Sequence, residues 1–392
     1  MKRILALGMA MALTVSSLAG CGGSKPAEAT KAAETKAAGE EKTGETKAET
    51  TESAGAEEAE SAGEGGKIVF IATQLGDMSF NDNGWAGVQE IGNKYGYEVS
   101  VIETGMDSSK YENMFLDICD SDADYVIAQS GNGWGDIVFK YASDYPEKKF
   151  VVFDASTTAE VTSDNVVCVA YRANEGSYLV GYVCAAMSES GMIAAGANRD
   201  NPAINDFFTG FINGALACKP DIKVSLAYNS TPGDAAAMGE IATALYNSGV
   251  DVMFSVAGAA GLGIFQAAIE GDKLAVGVDS DQYLTYSNSE YPELAQVIMT
   301  SMMKNIGDSL IVIFDEIDAG TIEWGTLQIL GIAEGGVGLA DNENYQKLVP
   351  EDVRKQVGEY EDKVKQGEIS VPSYYDFGDD SEFRELVNSV EP

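Results

Sequence analysis

Histidine is absent from this 392-residue chain, and its absence removes several kinds of catalytic chemistry. Ser-His-Asp and Cys-His nucleophile sites, histidine general bases and histidine-bearing zinc sites all depend on an imidazole ring. The five cysteines are also not spaced as metal ligands. The sequence therefore predicts no metal, no cofactor and no enzymatic activity, although an enzyme that works without histidine stays an alternative.

Positive charge is scarce as well. The chain has 25 Lys and Arg against 62 Asp and Glu, which gives a formal net charge of -37. A nucleic-acid backbone would be repelled by this charge, and no basic stripe offers a local attraction. The sequence therefore predicts no nucleic-acid partner.

The N-terminus has the pattern of a secretion signal over residues 1–20. "MKR" carries positive charge, "ILALGMAMALTV" is an apolar stretch too short for a typical membrane span, and "SSLAGC" ends in small residues. "LAGC" resembles a bacterial lipobox, which implies cleavage before Cys21 and acylation of its thiol. We expect Cys21 to anchor the protein in the lipid bilayer on the extracytoplasmic face of the cell membrane. An ordinary signal peptide cleaved nearby is the alternative.

Residues 21–66 are predicted to form a disordered acidic tether. This segment has almost no apolar side chain larger than that of Ala, so it cannot bury enough surface to offset the entropy of ordering. Coil scaling gives it an end-to-end reach on the order of 40 Å.

The four cysteines that follow are Cys119, Cys168, Cys184 and Cys218. Their even number and the extracytoplasmic location allow two disulfides. Cys168 in "NVVCVAY" and Cys184 in "GYVCAAM" have apolar neighbours, which favours buried thiols over bridges.

From residue 67 onward, short apolar runs alternate with amphipathic stretches. "KIVFIAT", "ADYVIAQS", "KKFVVFDA", "VDVMFSVA" and "LAVGVDS" are typical of strands buried on both faces, and the segments between them are typical of helices. The pattern predicts an α/β protein with two doubly wound parallel sheets, because the units are too many for one sheet of ordinary size.

Ligands of such sheets bind beyond the carboxyl ends of the strands, so the residues that follow each strand are the candidates. They are Asp77, Phe80, Asn81, Trp134, Asp154, Phe207, Gly258, Asp279 and Lys304. This set of aromatic, acidic, amide and lysine side chains suits a small ligand with one flat apolar part and one hydroxylated part.

Each candidate also has a structural alternative. Asp77, Asn81 and Asp279 could be helix caps, and Asp154 could form a turn. The aromatic candidates could belong to a core or pack against a helix, and the lysine could lie on the surface. "GAAGLG" could bind an anion at a helix start. It is weak evidence for dinucleotide binding, since the first strand is not followed by a Gly-x-Gly-x-x-Gly motif.

Seven segments, in consistent order over residues 67–339, resemble the basic membrane protein family. They are "GDMSFNDNGWAG", "NEGSYLVGYVCAAM", "PAINDFFTGFINGA", "VAGAAGLGIFQAA", "GVDSDQ", "TSMMKNIGDS" and "GGVGLA". The family comprises lipoproteins similar to the purine nucleoside receptor, the solute-binding component of an ABC importer. The resemblance implies a type I periplasmic-binding-protein fold, with residues 67–171 and 281–322 in lobe one and residues 172–280 and 323–392 in lobe two.

The resemblance also implies roles for individual residues. Phe80 matches a residue that stacks on the base, with Asn81 beside the ligand, and Asp154 matches an acceptor for purine N–H groups. Gly258 matches a glycine that lets the ligand approach the backbone, and Asp279 and Lys304 match a pair that holds ribose hydroxyls. Departures at "SGNGW" and "VAGAAGLG" leave the base preference open.

Three functions follow. The first is a nucleoside-binding lipoprotein that delivers its ligand to an ABC permease in the membrane. The second is a binding lipoprotein of the same fold for another solute, such as a sugar or a signalling molecule. The third is an extracytoplasmic enzyme that cleaves nucleosides.

Overall fold

The computed structural model describes residues 65–392, except for the side chain of Asn132. The predicted signal peptide, the predicted lipidation site at Cys21 and all but the last two residues of the predicted tether lie outside the described residues.

Twelve strands and twelve α-helices make up this described part of the chain. The first half contains β1 (Lys67–Ala72), α1 (Phe80–Tyr95), β2 (Glu98–Glu103), α2 (Tyr111–Cys119), β3 (Tyr125–Gln129), α3 (Trp134–Tyr141), β4 (Lys149–Ala155), β5 (Val166–Tyr171), α4 (Ala173–Met187), β6 (Met192–Ala197), α5 (Pro202–Cys218) and β7 (Lys223–Tyr228). The second half contains α6 (Ala235–Asn247), β8 (Val252–Val256), α7 (Gly261–Gly271), β9 (Leu274–Asp279), α8 (Gln282–Ser287), β10 (Ile298–Lys304), α9 (Ile306–Asp318), β11 (Thr326–Leu330), β12 (Val337–Leu339), α10 (Glu343–Leu348), α11 (Glu351–Lys365) and α12 (Asp380–Val390).

The strands form two six-stranded sheets. The order in the first sheet is β11-β5-β4-β3-β1-β2, and the order in the second is β12-β10-β9-β8-β6-β7. All pairs are parallel except that of β10 with β12, an antiparallel pair at the edge of the second sheet. The predicted α/β fold with two doubly wound parallel-sheet lobes is therefore confirmed.

Helices cover both faces of each sheet, which explains why the central strands are apolar at nearly every position. In β1, Ile68, Phe70 and Ala72 join one core, while Val69 and Ile71 point to the opposite face and join another. Successive side chains of a strand alternate between its two faces, so a strand covered on both sides needs an apolar residue at nearly every position.

Strand pairing corrects two of the predicted lobe segments. Strand β10, placed in lobe one by the predicted range 281–322, pairs with β9 in the second sheet. Strand β11, placed in lobe two by the predicted range 323–392, pairs with β5 in the first sheet. The two strands are similar apolar segments beside helices, so their sequences carry no signal for the sheet they join; the pairing partner decides it.

The chain therefore passes between the sheets at three places. They lie between Tyr171 and Ala173, between Lys304 and Ile306, and between Leu330 and Val337. The first two follow the carboxyl ends of β5 and β10. The segments that join the lobes thus lie at the edge where a ligand is expected.

Three further features concern helix α11, the cysteines and the helices as a group. Helix α11 lies on α4, where Tyr360 contacts Tyr178 and Tyr182 with ring centroids 6.0 and 4.7 Å apart. The cysteines of residues 65–392 are all free thiols, and all but Cys218 are buried. None of the described helices has both the length and the apolar character of a membrane span.

Candidate functional site

A cavity lies between the two lobes, at the carboxyl ends of both sheets. Eight of the nine predicted site residues line it: Asp77, Phe80, Asn81, Asp154, Phe207, Gly258, Asp279 and Lys304. The rule that ligand sites form beyond strand ends placed these residues, and the structure brings them together from both lobes.

Trp134 is the exception, and its prediction as a ligand contact is wrong. Its side chain is fully buried and stacks on Tyr111, with ring centroids 4.6 Å apart, in the core beneath α2 and α3. Trp134 is the first residue of α3, and at that position the side chain turns toward the sheet rather than toward the cavity. Burying such a large ring stabilises the core strongly, which accounts for its orientation.

The turn after β1 uses its polar side chains to hold its own backbone. The Asp77 carboxylate accepts hydrogen bonds from the backbone N–H groups of Ser79 (3.1 Å), Asn81 (2.9 Å) and Asp82 (3.2 Å). It also accepts one from Asn81 Nδ2 at 2.8 Å, and Asn81 Oδ1 accepts one from the Thr73 N–H at 3.2 Å. Burial raises the pKa of Asp77. Asp77 and Asn81 thus shape the turn that places Phe80 at the cavity.

Asp279 ends β9, and its carboxylate is buried in the second lobe. Its backbone has a φ of 65°, in the left-handed region that Asp tolerates better than most residues. Ser79 Oγ donates to its carboxylate across the cleft at 2.8 Å. Burial raises the pKa of Asp279 to about 6, although Lys304 and the Ser79 hydroxyl act in the opposite direction.

Lys304 ends β10 and is held in place by a carboxylate and three aromatic rings. Its Nζ donates to Asp154 Oδ1 at 2.7 Å, and only 4% of its side chain is exposed. The same nitrogen lies 4.7 Å from the ring centroid of Phe207, 5.5 Å from that of Phe80 and 5.7 Å from that of Tyr171. These distances are typical of cation–π contacts. Burial by itself would lower the pKa of Lys304, but Asp154 and the other nearby carboxylates outweigh burial and raise it.

The two lobes contribute equivalent positions. Asp154 is the next-to-last residue of the third strand of the first sheet, counted from the β11 edge, and Asp279 ends the third strand of the second, counted from the β12 edge. Their φ angles of 57° and 65° are alike. Phe80 follows β1, and Phe207 follows β6, the strand at the matching position. The site is therefore built from corresponding strand ends of two similar sheets.

Hydrogen bonds join the lobes directly at one edge of the cavity. Ser280 Oγ and Gln282 Nε2 each donate to the Met78 carbonyl at 3.2 Å. Asn83 Nδ2 donates to the Asp279 carbonyl at 3.2 Å and lies 3.4 Å from the Lys304 carbonyl oxygen. The described arrangement is therefore one in which the lobes are in contact.

Several cavity residues were not among the predicted ones. They are Thr73, Gln74, Met106, Gln129, Gly131, Asn198, Arg199, Asn201, Ala203, Ile204, Gly233, Val256, Ala259 and Val278. Thr73, Gln129 and Asn198 end a strand or follow one directly, so the strand-end rule, applied to every strand and every polar residue, would have found these three. The residues after β2, in "GMDSS", carry no aromatic or acidic signal at Met106, and only the fold places that side chain at the cavity.

This arrangement can hold a small molecule with two different halves. The Phe80 and Phe207 rings border the cavity and offer apolar faces for a flat group. Asp279 and Asp154 can accept hydrogen bonds from hydroxyl groups, and Lys304 can donate to their oxygens. Within residues 65–392 no group of three or more His, Cys, Asp or Glu side chains could hold a metal ion.

Comparison with protein families gives one match that covers most of the chain. Residues 67–374 match the sequence model of the Bmp family, described as ABC transporter substrate-binding protein PnrA-like. The matched region contains both sheets and every residue of the cavity wall.

Individual relatives agree with this match. Basic membrane protein A2 of Borrelia garinii subsp. bavariensis is 28% identical over 308 residues, which are 78% of this chain and 87% of that protein. A protein of Lactococcus lactis subsp. cremoris, named ABC transporter nucleoside-binding protein BmpA, is 28% identical over 318 residues, with 78% and 88% covered.

A solved structure is similar in fold. The crystal structure of an ABC transporter solute-binding protein from Aeropyrum pernix K1 superimposes with a TM-score of 0.71 at 22% sequence identity. The superposition covers 83% of this chain and 96% of that one. At this identity the likeness shows a shared fold, that of the type I solute-binding proteins.

Proposed function

Because the chain belongs to the Bmp family of PnrA-like ABC transporter substrate-binding proteins, we propose that it binds purine nucleosides in the interlobe cavity and delivers them to an ABC permease. The name of the Lactococcus lactis relative, a nucleoside-binding protein, supports this ligand class. We further propose that acylated Cys21 anchors the protein on the extracytoplasmic face of the membrane. Cell fractionation tests the anchor: the Cys21→Ser variant is expected to leave the membrane fraction.

The observation that carries the proposal is the presence of two chemically different halves in one cavity. Phe80 and Phe207 supply aromatic faces, while Asp279 and Lys304 supply a buried acceptor and a buried donor. A nucleoside has the same division, with a flat heterocycle joined to a ribose that carries vicinal hydroxyls. Stacking of a base on an aromatic side chain contributes about 1–3 kcal/mol. A hydrogen bond to a charged group contributes about 1.5–3 kcal/mol.

These contributions are enough for useful affinity. Two stacking faces and two or three charge-assisted hydrogen bonds, less the cost of ordering the ligand, correspond to dissociation constants from micromolar to nanomolar. The polar half alone would also suit a free pentose or another polyol, so a sugar ligand is the second candidate.

Isothermal titration calorimetry with inosine, guanosine, adenosine, hypoxanthine and ribose tests the proposal. We expect nucleosides to bind at least tenfold more tightly than the free base or free ribose. The Asp279→Asn variant should lose at least tenfold in nucleoside affinity, because the charged acceptor for ribose hydroxyls becomes a neutral amide in which one oxygen is replaced by a donor.

Asp281→Asn is the matched control. Asp281 lies two residues beyond Asp279 and caps α8 by accepting from the Leu284 N–H, and it does not line the cavity. Its substitution should leave affinity unchanged. Tighter binding of ribose than of any nucleoside would favour the sugar alternative, and release of hypoxanthine from inosine would favour a nucleoside-cleaving enzyme.

A further inference from the structure

The amide of Gln129 is a buried donor on the cavity wall that has no protein partner. Gln129 is the last residue of β3, lines the cavity and is 5% exposed. Its Nε2 is buried and makes no hydrogen bond to any other described residue. Buried polar atoms in folded proteins almost always have a partner, so an unpaired one requires an explanation.

Three other buried side-chain atoms in residues 65–392 also lack a partner. They are Trp134 Nε1, Ser177 Oγ and Ser255 Oγ, and none of these residues lines the cavity. Gln129 differs from them because its side chain forms part of the cavity wall. Among these four unpaired atoms, its nitrogen therefore belongs to the residue that lies next to the ligand space.

Other parts of the cavity wall lie beside this amide. Gly131 lines the cavity, and a side-chain carbon at that position would lie 3.6 Å from Gln129 Oε1, an ordinary van der Waals distance. The neighbouring strands β1 and β4 carry Phe80 beyond the end of one and Asp154 at the end of the other, so the amide lies between an aromatic element and a polar element.

We propose that Gln129 determines ligand specificity by donating a hydrogen bond from Nε2 to an acceptor atom on the base of the bound nucleoside. The acceptor is either a ring nitrogen or a ring carbonyl oxygen. A buried group that expects a hydrogen bond rejects an analogue that cannot supply it, because the protein group is then left unpaired. This inference rests on the proposed function and extends it to the edge of the base.

A double-mutant cycle tests this contact. Wild-type protein and Gln129→Leu are titrated with adenosine as parent and with its 1-deaza, 3-deaza and 7-deaza analogues, which each lack one ring-nitrogen acceptor. Inosine as parent and its analogue without the 6-oxygen test the ring carbonyl in the same way. We expect Gln129→Leu to bind the parent at least about tenfold more weakly. One analogue should bind wild-type protein with a similar loss, and the Leu variant should bind that analogue and the parent equally.

Two variants sharpen the result. Gln129→Glu keeps the shape of the side chain but removes both donors, so it should weaken parent binding at least as much as Gln129→Leu. Gln89→Leu changes the same residue type, but Gln89 is exposed on α1 and does not line the cavity, so its loss should stay within about twofold. The melting temperature of ligand-free Gln129→Leu should equal or exceed that of the wild type, since a buried unpaired donor has been removed.

Several outcomes would overturn the inference. Unchanged affinity of Gln129→Leu for the parent would mean that no ligand atom uses the donor. Full affinity in Gln129→Glu would mean that the ligand donates rather than accepts. An equal loss for free ribose would move the contact from the base to a hydroxyl. If wild-type protein binds no nucleoside at all, the proposed function itself fails, which is a distinct result.

Discussion

In the first lobe the carboxylate at the end of β4, Asp154, is paired with a lysine, whereas in the second lobe the carboxylate at the end of β9, Asp279, is buried beside a serine hydroxyl. The Asp154 side chain is 21% exposed, and Asp279 is 6% exposed. The backbone conformations of the two residues are nearly the same. Equivalent positions in two similar sheets have thus acquired different electrostatic environments.

The aromatic residues differ in a similar way. Phe80 is half-buried at the start of α1, and its ring lies 5.5 Å from that of Phe153. Phe207 is 4% exposed within α5, and its ring lies 6.5 Å from that of Phe254. The Phe80 ring is therefore only partly buried, whereas the Phe207 ring belongs to the buried core; both line the cavity.

The two halves of the site therefore have similar backbone conformations but different side-chain environments. Lys304 belongs to the second sheet, but its ion pair is with the first lobe, which leaves Asp279 with a hydroxyl and a raised pKa. A ligand whose two ends differ can therefore bind in one orientation. The predictions below test whether the two lobes are as different as the contacts indicate.

The largest expected difference concerns stability. Asp154→Asn leaves the buried Lys304 ammonium without its ion-pair partner, so the free energy of unfolding should fall by about 2 to 3 kcal/mol. Asp279→Asn removes a carboxylate whose burial opposes ionisation, so its effect at pH 7 should be below about 1 kcal/mol and could be stabilising. Asn tolerates the left-handed backbone at both positions. Urea unfolding of the ligand-free proteins measures both values; equal losses would contradict the proposed contrast.

A smaller effect concerns stacking. Phe80→Leu and Phe207→Leu keep apolar volume but remove a flat face, so each should weaken nucleoside binding about tenfold, while ribose binding stays the same. Phe208→Leu is the control, since this neighbour in α5 is fully buried and does not line the cavity. Titration calorimetry would show a loss in only one variant if the base stacks on a single lobe.

A third effect concerns pH. In the proposed binding mode, ribose hydroxyls donate to ionised Asp279, and the pKa of about 6 means that this carboxylate takes up a proton below that pH. Nucleoside affinity should therefore fall about tenfold from pH 7 to pH 5 through this group. Asp279→Asn should remove most of this pH dependence, whereas Asp154→Asn should keep it. A pH dependence that persists unchanged in Asp279→Asn would show that another group is responsible.

The same pKa shift acts in the opposite direction on the ligand-free protein. The folded state holds the Asp279 proton more tightly than the unfolded state, because burial disfavours the charge. The stability contribution of this group is therefore fully present below about pH 4 and is lost as the pH rises through about 6. Comparison of melting temperatures for wild type and Asp279→Asn over this range isolates it.

Several strand ends were readable from the sequence because the apolar run stops at a polar residue. Asp279 and Lys304 end their strands, Asp154 is the next-to-last residue of β4, and the resulting edge of the sheet is fixed once the strands are parallel.

Positions whose orientation depends on packing could not be predicted in this way. Trp134 follows a strand as the other candidates do, but the pocket beside Tyr111 draws it into the core. The unpaired amide of Gln129 was invisible, since only the surrounding structure shows that nothing meets its nitrogen. Strands β10 and β11 were assigned to the wrong lobes, because pairing involves partners far away in the chain.

The order of apolar and polar residues along the chain thus determined that strands and helices alternate, that the sheets are covered on both faces, and which residues lie at the ligand-binding edge. The periodicity of apolar residues and the positions where strands end depend on residues that are neighbours in the chain, and the sequence shows these neighbours directly. Tertiary structure alone decided which carboxylate received the lysine, which aromatic ring joined a core and which amide stayed unpaired. These outcomes depend on distances between residues that are remote in the chain, such as Asp154 and Lys304, and on how much water the folded lobes exclude from each of them.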